Sequence, residues 1–191
     1  MPPMPPMPPD RPGVPNCLTM GTLDDQAARV DAAAREILDL QPRVEAGAPW
    51  PLAEVYGTEV EASWGPPELL AHLEEMLPFW LGETERILDG APDGPPDAAV
   101  PFGRVASDPV RIGVIGRDRT VPLRELFTRL EADAARVARR MRALSDAETA
   151  RVGRHPTQGE LTVGQLFERF VTSHLEGHLD QFREILAARG A

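Results

Sequence analysis

His174 and His178 stand four residues apart. On an α-helix that spacing stacks both imidazoles on one face, with Cβ atoms ~5–6 Å apart. Two imidazoles so placed can grip one metal ion. Both keep helical register with Phe167, Phe170 and Val171, so both should point into a core. Buried ring nitrogens need partners, and two adjacent buried His need more than a local carbonyl supplies. His72 lies between Leu69 and Met76 on the apolar face of another helical stretch. Three of the chain's four His are therefore expected on core faces. Three neutral imidazoles with open positions for water or substrate would make a catalytic-type metal site. The alternative is three separately hydrogen-bonded structural imidazoles.

Four helical stretches must position these residues. The first runs from about Leu23 to Gln41, with Thr22 and Asp25 as a start signal and Pro42 as a stop. The second opens at Pro66-Pro67 and continues to about Leu88, with a kink expected at Pro78. The third spans about Val121 to Leu144 on a nearly unbroken apolar seam. Its Arg136, Arg139, Arg140 and Arg142 read as a solvated face paired with acids. The fourth runs from Val163 to about Ala188, led by the capping pair Thr162 and Gln165. The pattern is all-α, that of a four-helix bundle. The link between the second and third helices, 89–119, is long. If it crosses the bundle, those two helices run parallel and the course is up-down-down-up.

The remaining stretches read as connections. Residues 42–65 form a loop whose Trp50, Tyr56 and Trp64 should cap the core from one end. Val110–Ile115 is a strand-like piece or a segment packed on the bundle. Residues 145–162 are a polar link with one helical turn near 147–151. His155 before Pro156 is expected at the surface. Gln181, three residues after His178, could orient that ligand or a bound water. Glu75 could do the same for His72, or sit at the bundle edge.

Composition closes off other classes. The chain has 191 residues, 30 acids against 20 bases, all of them Arg, and one Cys. That length suits one domain, read as 20–191. A net charge of −10 disfavours nucleic acid, because each phosphate contact needs a cation. Cys17 alone forms no internal disulfide and sits in the leading segment. No apolar run approaches the ~20 residues of a membrane span. The start has no basic or apolar signal region, so the cytoplasm is expected. Residues 1–19, with three Met-Pro-Pro repeats, should form a disordered or polyproline-like tail.

Two segments carry a resemblance. Trp64–Met76 (WGPPELLAHLEEM) and Gly159–Phe182 (GELTVGQLFERFVTSHLEGHLDQF) are similar to the second and last helices of the DinB/YfiT-like superfamily. The resemblance covers roughly residues 20–189 in helix order and loop lengths. It implies a four-helix bundle, usually a homodimer, holding a divalent metal, nickel or zinc, on three His. Matched to this sequence, those ligands are His72, His174 and His178. Characterised relatives use the metal to activate a low-molecular-weight thiol in S-transfer or isomerisation of a small-molecule substrate. Other members resemble hydrolases or have no established activity, so the alternatives are a metal-dependent hydrolase or a non-catalytic metal-stabilised bundle acting in binding or stress response. The Pro-rich tail and the long 89–119 link depart from the family core. No catalytic residue beyond the metal ligands is assigned.

Overall fold

The computed structural model describes residues 21–55, 60–90 and 98–190. The Met-Pro-Pro repeats, Cys17, Tyr56 and the middle of the long link lie outside the described residues. The chain is mostly helical. Helix α1 (Leu23–Asp39) starts where Thr22 and Asp25 cap each other reciprocally. A short α2 (Gln41–Ala46) follows at once, with Pro42 in its first turn, where a missing N–H costs nothing. A 3₁₀ turn (Val60–Ser63) leads into α3 (Pro66–Asp89). This helix runs through Pro78 without a break, so the proline does not stop it.

Helix α4 (Pro109–Asp118) occupies the stretch read as a strand-like piece or a segment packed on the bundle; it is helical, and it packs on the core. Its start signal is local. The Asp108 carboxylate accepts from the Val110 and Arg111 N–H groups, and Pro109 opens the first turn. Ile112 and Ile115 face the core from it. Helix α5 (Leu123–Ala143) matches the apolar seam. Its Arg136, Arg140 and Arg142 pair with Asp133, Glu85 and Asp31.

Residues 145–162 are more ordered than a polar link. After a single turn, α6 (Asp146–Thr149), the chain forms a hairpin of β2 (Val152–His155) and β3 (Gly159–Thr162). Strand β1 (Val100–Pro101) adds in parallel to β2. Gly159 takes φ +73°, the left-handed conformation that closes the hairpin turn. Gly153 on β2 is pressed against Phe102 and Ile87, where a Cβ would meet carbon at 2.6–2.7 Å. His155 is buried rather than on the surface, at 5 % exposure. The hairpin turns it inward beside Trp80, Phe102 and Phe170.

The last helical run has three parts: α7 (Val163–Phe167), a π-helical segment (Glu168–Thr172) and α8 (Ser173–Ala188). The π segment inserts a residue into the helical register. Beyond it Leu175, Leu179 and Leu186 join Phe182 in the core, while Ile185 is only half-buried. A regular 3.6-residue reading puts Ile185 in that place instead.

Helices α1, α5, α3 and the α7–α8 run each pack chiefly on two of the others, in that cyclic order. One core joins them. Ile37, Leu73, Phe127, Leu130 and Phe167 are fully enclosed in it. Trp64 is buried inside this core and Trp50 packs half-buried against it, so the two do not form one cap.

Candidate metal centre

His72 comes from the second turn of α3, and His174 and His178 from the first two turns of α8. The three rings meet edge to face. Their centroids are 5.2 Å apart for His72–His174, 5.0 Å for His72–His178 and 4.6 Å for His174–His178. The Nε2 atoms of His72 and His174 are 3.0 Å apart. Two ligands on one ion at ~2.1 Å come this close when they subtend about a right angle.

Each ring is set by its surroundings. Gln181 Oε1 lies 3.1 Å from His178 Nδ1. An amide oxygen only accepts, so the proton sits on Nδ1 and the Nε2 lone pair is free. That Nε2 is buried and has no hydrogen-bond partner. Gln181 is itself held, since its Nε2 donates to the Glu61 carbonyl at 2.7 Å. Trp64 packs its edge against His72, at 5.5 Å between centroids.

A fourth donor, Glu61, arrives on the 3₁₀ turn. One ligand atom from each of Glu61, His72, His174 and His178 lies within 4.8 Å of all the others. This cluster could hold a metal ion. The orphaned His178 Nε2 is the observation that fits it best, because a buried acceptor without a partner costs ~1–3 kcal/mol unless something fills it. Three imidazoles and a carboxylate suit a first-row divalent ion.

Burial keeps the imidazoles neutral. It pushes His72 well below the ordinary value of 6.5, helped by the charges of His178, His174 and Arg111. His174 is lowered to about 3, first by burial and then by His178 and Arg111. His178 is also lowered by burial, against the opposing pull of Gln181 and Glu61. Neutral imidazole is the form that binds metal, so no proton need leave at pH 7.

No family model, curated protein or solved structure matches the chain.

Sequence spacing thus points to residues that the fold brings together: His72, His174, His178 and Gln181. Glu75 makes no hydrogen bond to His72; it pairs with Arg104. Two residues at the site were not anticipated. Glu61 sits in a stretch without periodicity, where no pattern singles out one acid. Arg111 is buried at 6 % exposure on α4, where it pairs with Glu61 and donates to the Ala106 carbonyl at 2.8 Å. Its Nη2 is 3.4 Å from His72 Nδ1. The Asp108-Pro109 start signal could have placed α4, and with it Arg111.

A cavity of about 210 Å³ opens beside the cluster. His72, His174, Glu61, Arg104 and Arg111 supply its polar lining, and Met76, Trp80 and Phe170 the apolar part. Trp80 and Phe170 stack at 4.3 Å with planes 12° apart.

Proposed function

We propose that this chain is a metal-dependent enzyme of the DinB-like kind, with His72, His174 and His178 as ligands of one divalent ion. The observation that carries this reading is the convergence of three neutral imidazoles, one of them with a buried, unpartnered Nε2. The resemblance favours nickel or zinc and a homodimer. It also favours thiol-dependent transfer or isomerisation. The fold that goes with it is a four-helix bundle running up-down-down-up. The cyclic packing of the long helices supports the bundle, and the long α3–α5 connection suits a crossover.

A bound divalent ion would lower the pKa of a coordinated thiol or water and so supply a nucleophile at neutral pH. The chain's own part is positional. Gln181 holds the His178 tautomer, Trp64 backs His72, and the Trp80–Phe170 wall keeps bulk water from one side. The adjoining cavity favours an enzyme over a bundle merely stabilised by metal. It has room for the thiol end of a cofactor, with the rest of that cofactor outside.

Elemental analysis should find about one divalent ion per purified chain, and His174→Ala should lose it. Unchanged metal in that variant would sink the assignment. Incubating the loaded protein with low-molecular-weight thiols and a panel of electrophiles tests the reaction class. Turnover with one thiol supports it; turnover in water alone would favour a hydrolase.

A further inference from the structure

The charges around the cavity balance in pairs. Arg111 pairs with Glu61, and Arg104 pairs with Glu75. The three imidazoles are neutral when they ligate. Protein charge at the site therefore sums to about zero, and a divalent ion would enter with its own charge uncompensated in a largely dry setting. Such a site draws an anion to complete it.

The cavity says what kind of anion. At about 210 Å³ it is somewhat larger than the ~150 Å³ void that encloses benzene, so it takes a body of one-ring size. Its apolar lining includes Trp80 and Phe170, which stack nearly parallel on each other. Two guanidinium groups also line the cavity, and their planar forks match a carboxylate. Arg104 is braced over the Phe79 ring at 3.7 Å, so its plane is set before any ligand arrives.

We infer that this cavity takes a small organic carboxylate of about one-ring size, its carboxylate toward Arg104 and Arg111 and its apolar body against Met76, Trp80 and Phe170. The inference rests on the metal centre proposed above and names the substrate class of that site.

Benzoate and benzamide share shape and differ in charge, so they make the test. Binding to the metal-loaded chain is read by calorimetry and by quenching of tryptophan fluorescence, with no turnover required. Benzoate should bind at least ~10-fold more tightly than benzamide, and removal of the ion by a chelator should erase most of that preference. Arg104→Gln should weaken benzoate ~10-fold while metal content stays the same. Because that change leaves Glu75 without its cation, the double variant Arg104→Gln/Glu75→Gln is measured beside it and should show the same loss. Equal binding of the two probes by a loaded chain overturns this inference alone, as does full benzoate affinity in the double variant. A chain that takes up no ion overturns the metal centre and this inference together.

Discussion

Gln181 touches the candidate site through one hydrogen bond, yet it decides which nitrogen of His178 is free. Losing it lets the ring rotate or take the other tautomer. Gln181→Ala should weaken metal affinity ~10–100-fold with the helix content unchanged, measured by competition with a chromophoric chelator. The imidazoles also set a pH dependence. In the unfolded chain they take up protons near 6.5, whereas in the folded chain His174 does so only at about 3. Above pH 7 both states are neutral and the groups contribute no slope. As pH falls below 6.5 the unfolded state binds more protons, so stability falls, by up to ~1.4 kcal/mol per pH unit for each buried imidazole. Urea midpoints of the metal-free chain should drop between pH 7.5 and pH 5. Equal midpoints would contradict the burial of these rings. The three His were legible because a helix writes its faces into sequence at a fixed period. His155 was misread because nothing in His-Pro-Thr-Gln reveals a hairpin that turns the ring inward.

At the scale of elements, the π segment Glu168–Thr172 leads directly into the helix that carries His174 and His178. Compared with an uninterrupted α-helix of the same sequence, it shifts the inward face of α8 by about one residue, ~100° of helix turn. Deleting the exposed Arg169 should take out the extra residue and leave a regular helix whose two ends keep their present faces, with His174 and His178 still toward His72. Metal uptake should then be retained while far-UV circular dichroism still reports a helical protein; lost uptake would show that the wide turn itself positions the ligands. A second contact is just as specific. Gly103 takes φ +79°, and a Cβ there would stand 2.3 Å from His155 Cδ2. Gly103→Ala should cost ~1–3 kcal/mol in chemical denaturation, with part of the loss felt as disorder of the Trp80–Phe170 stack. The long helices were readable from apolar period and capping residues. The π insertion was not, because a single extra residue leaves only a gap in an apolar stripe. The strands escaped for a similar reason, since four residues such as Val152–His155 are too few to establish alternation.

Across the whole molecule, ion pairs bind the helices where the core does not. Arg29 on α1 holds Glu168 of the π segment at 2.8 Å and Glu176 of α8 at 2.7 Å. The candidate site sits where α3, α4, the 3₁₀ turn and α8 converge, so an ion there would favour the folded chain alone. At a hundredfold excess over its dissociation constant it should add ~2.7 kcal/mol, or about 5–10 °C in melting temperature for a chain of this size. Differential scanning calorimetry with and without the ion checks this, and His178→Ala should abolish the shift. The acidic composition disfavours nucleic-acid binding. The same acidic excess returns here as the partner set for these arginines. That pairing was legible as a tendency, but which acid meets which arginine depends on the packing order of helices far apart in sequence.

His72 and His174 are 102 positions apart, and their Nε2 atoms are 3.0 Å apart. An ion shared by them would be a reversible cross-link closing a loop of about a hundred residues. A covalent bond closing such a loop removes ~4.7 kcal/mol of disorder from the unfolded chain on simple polymer grounds. The ionic version has a property that a covalent one lacks. Full expansion of the chain must wait for the ion to leave, so a chelator that captures departing metal should set the pace of unfolding.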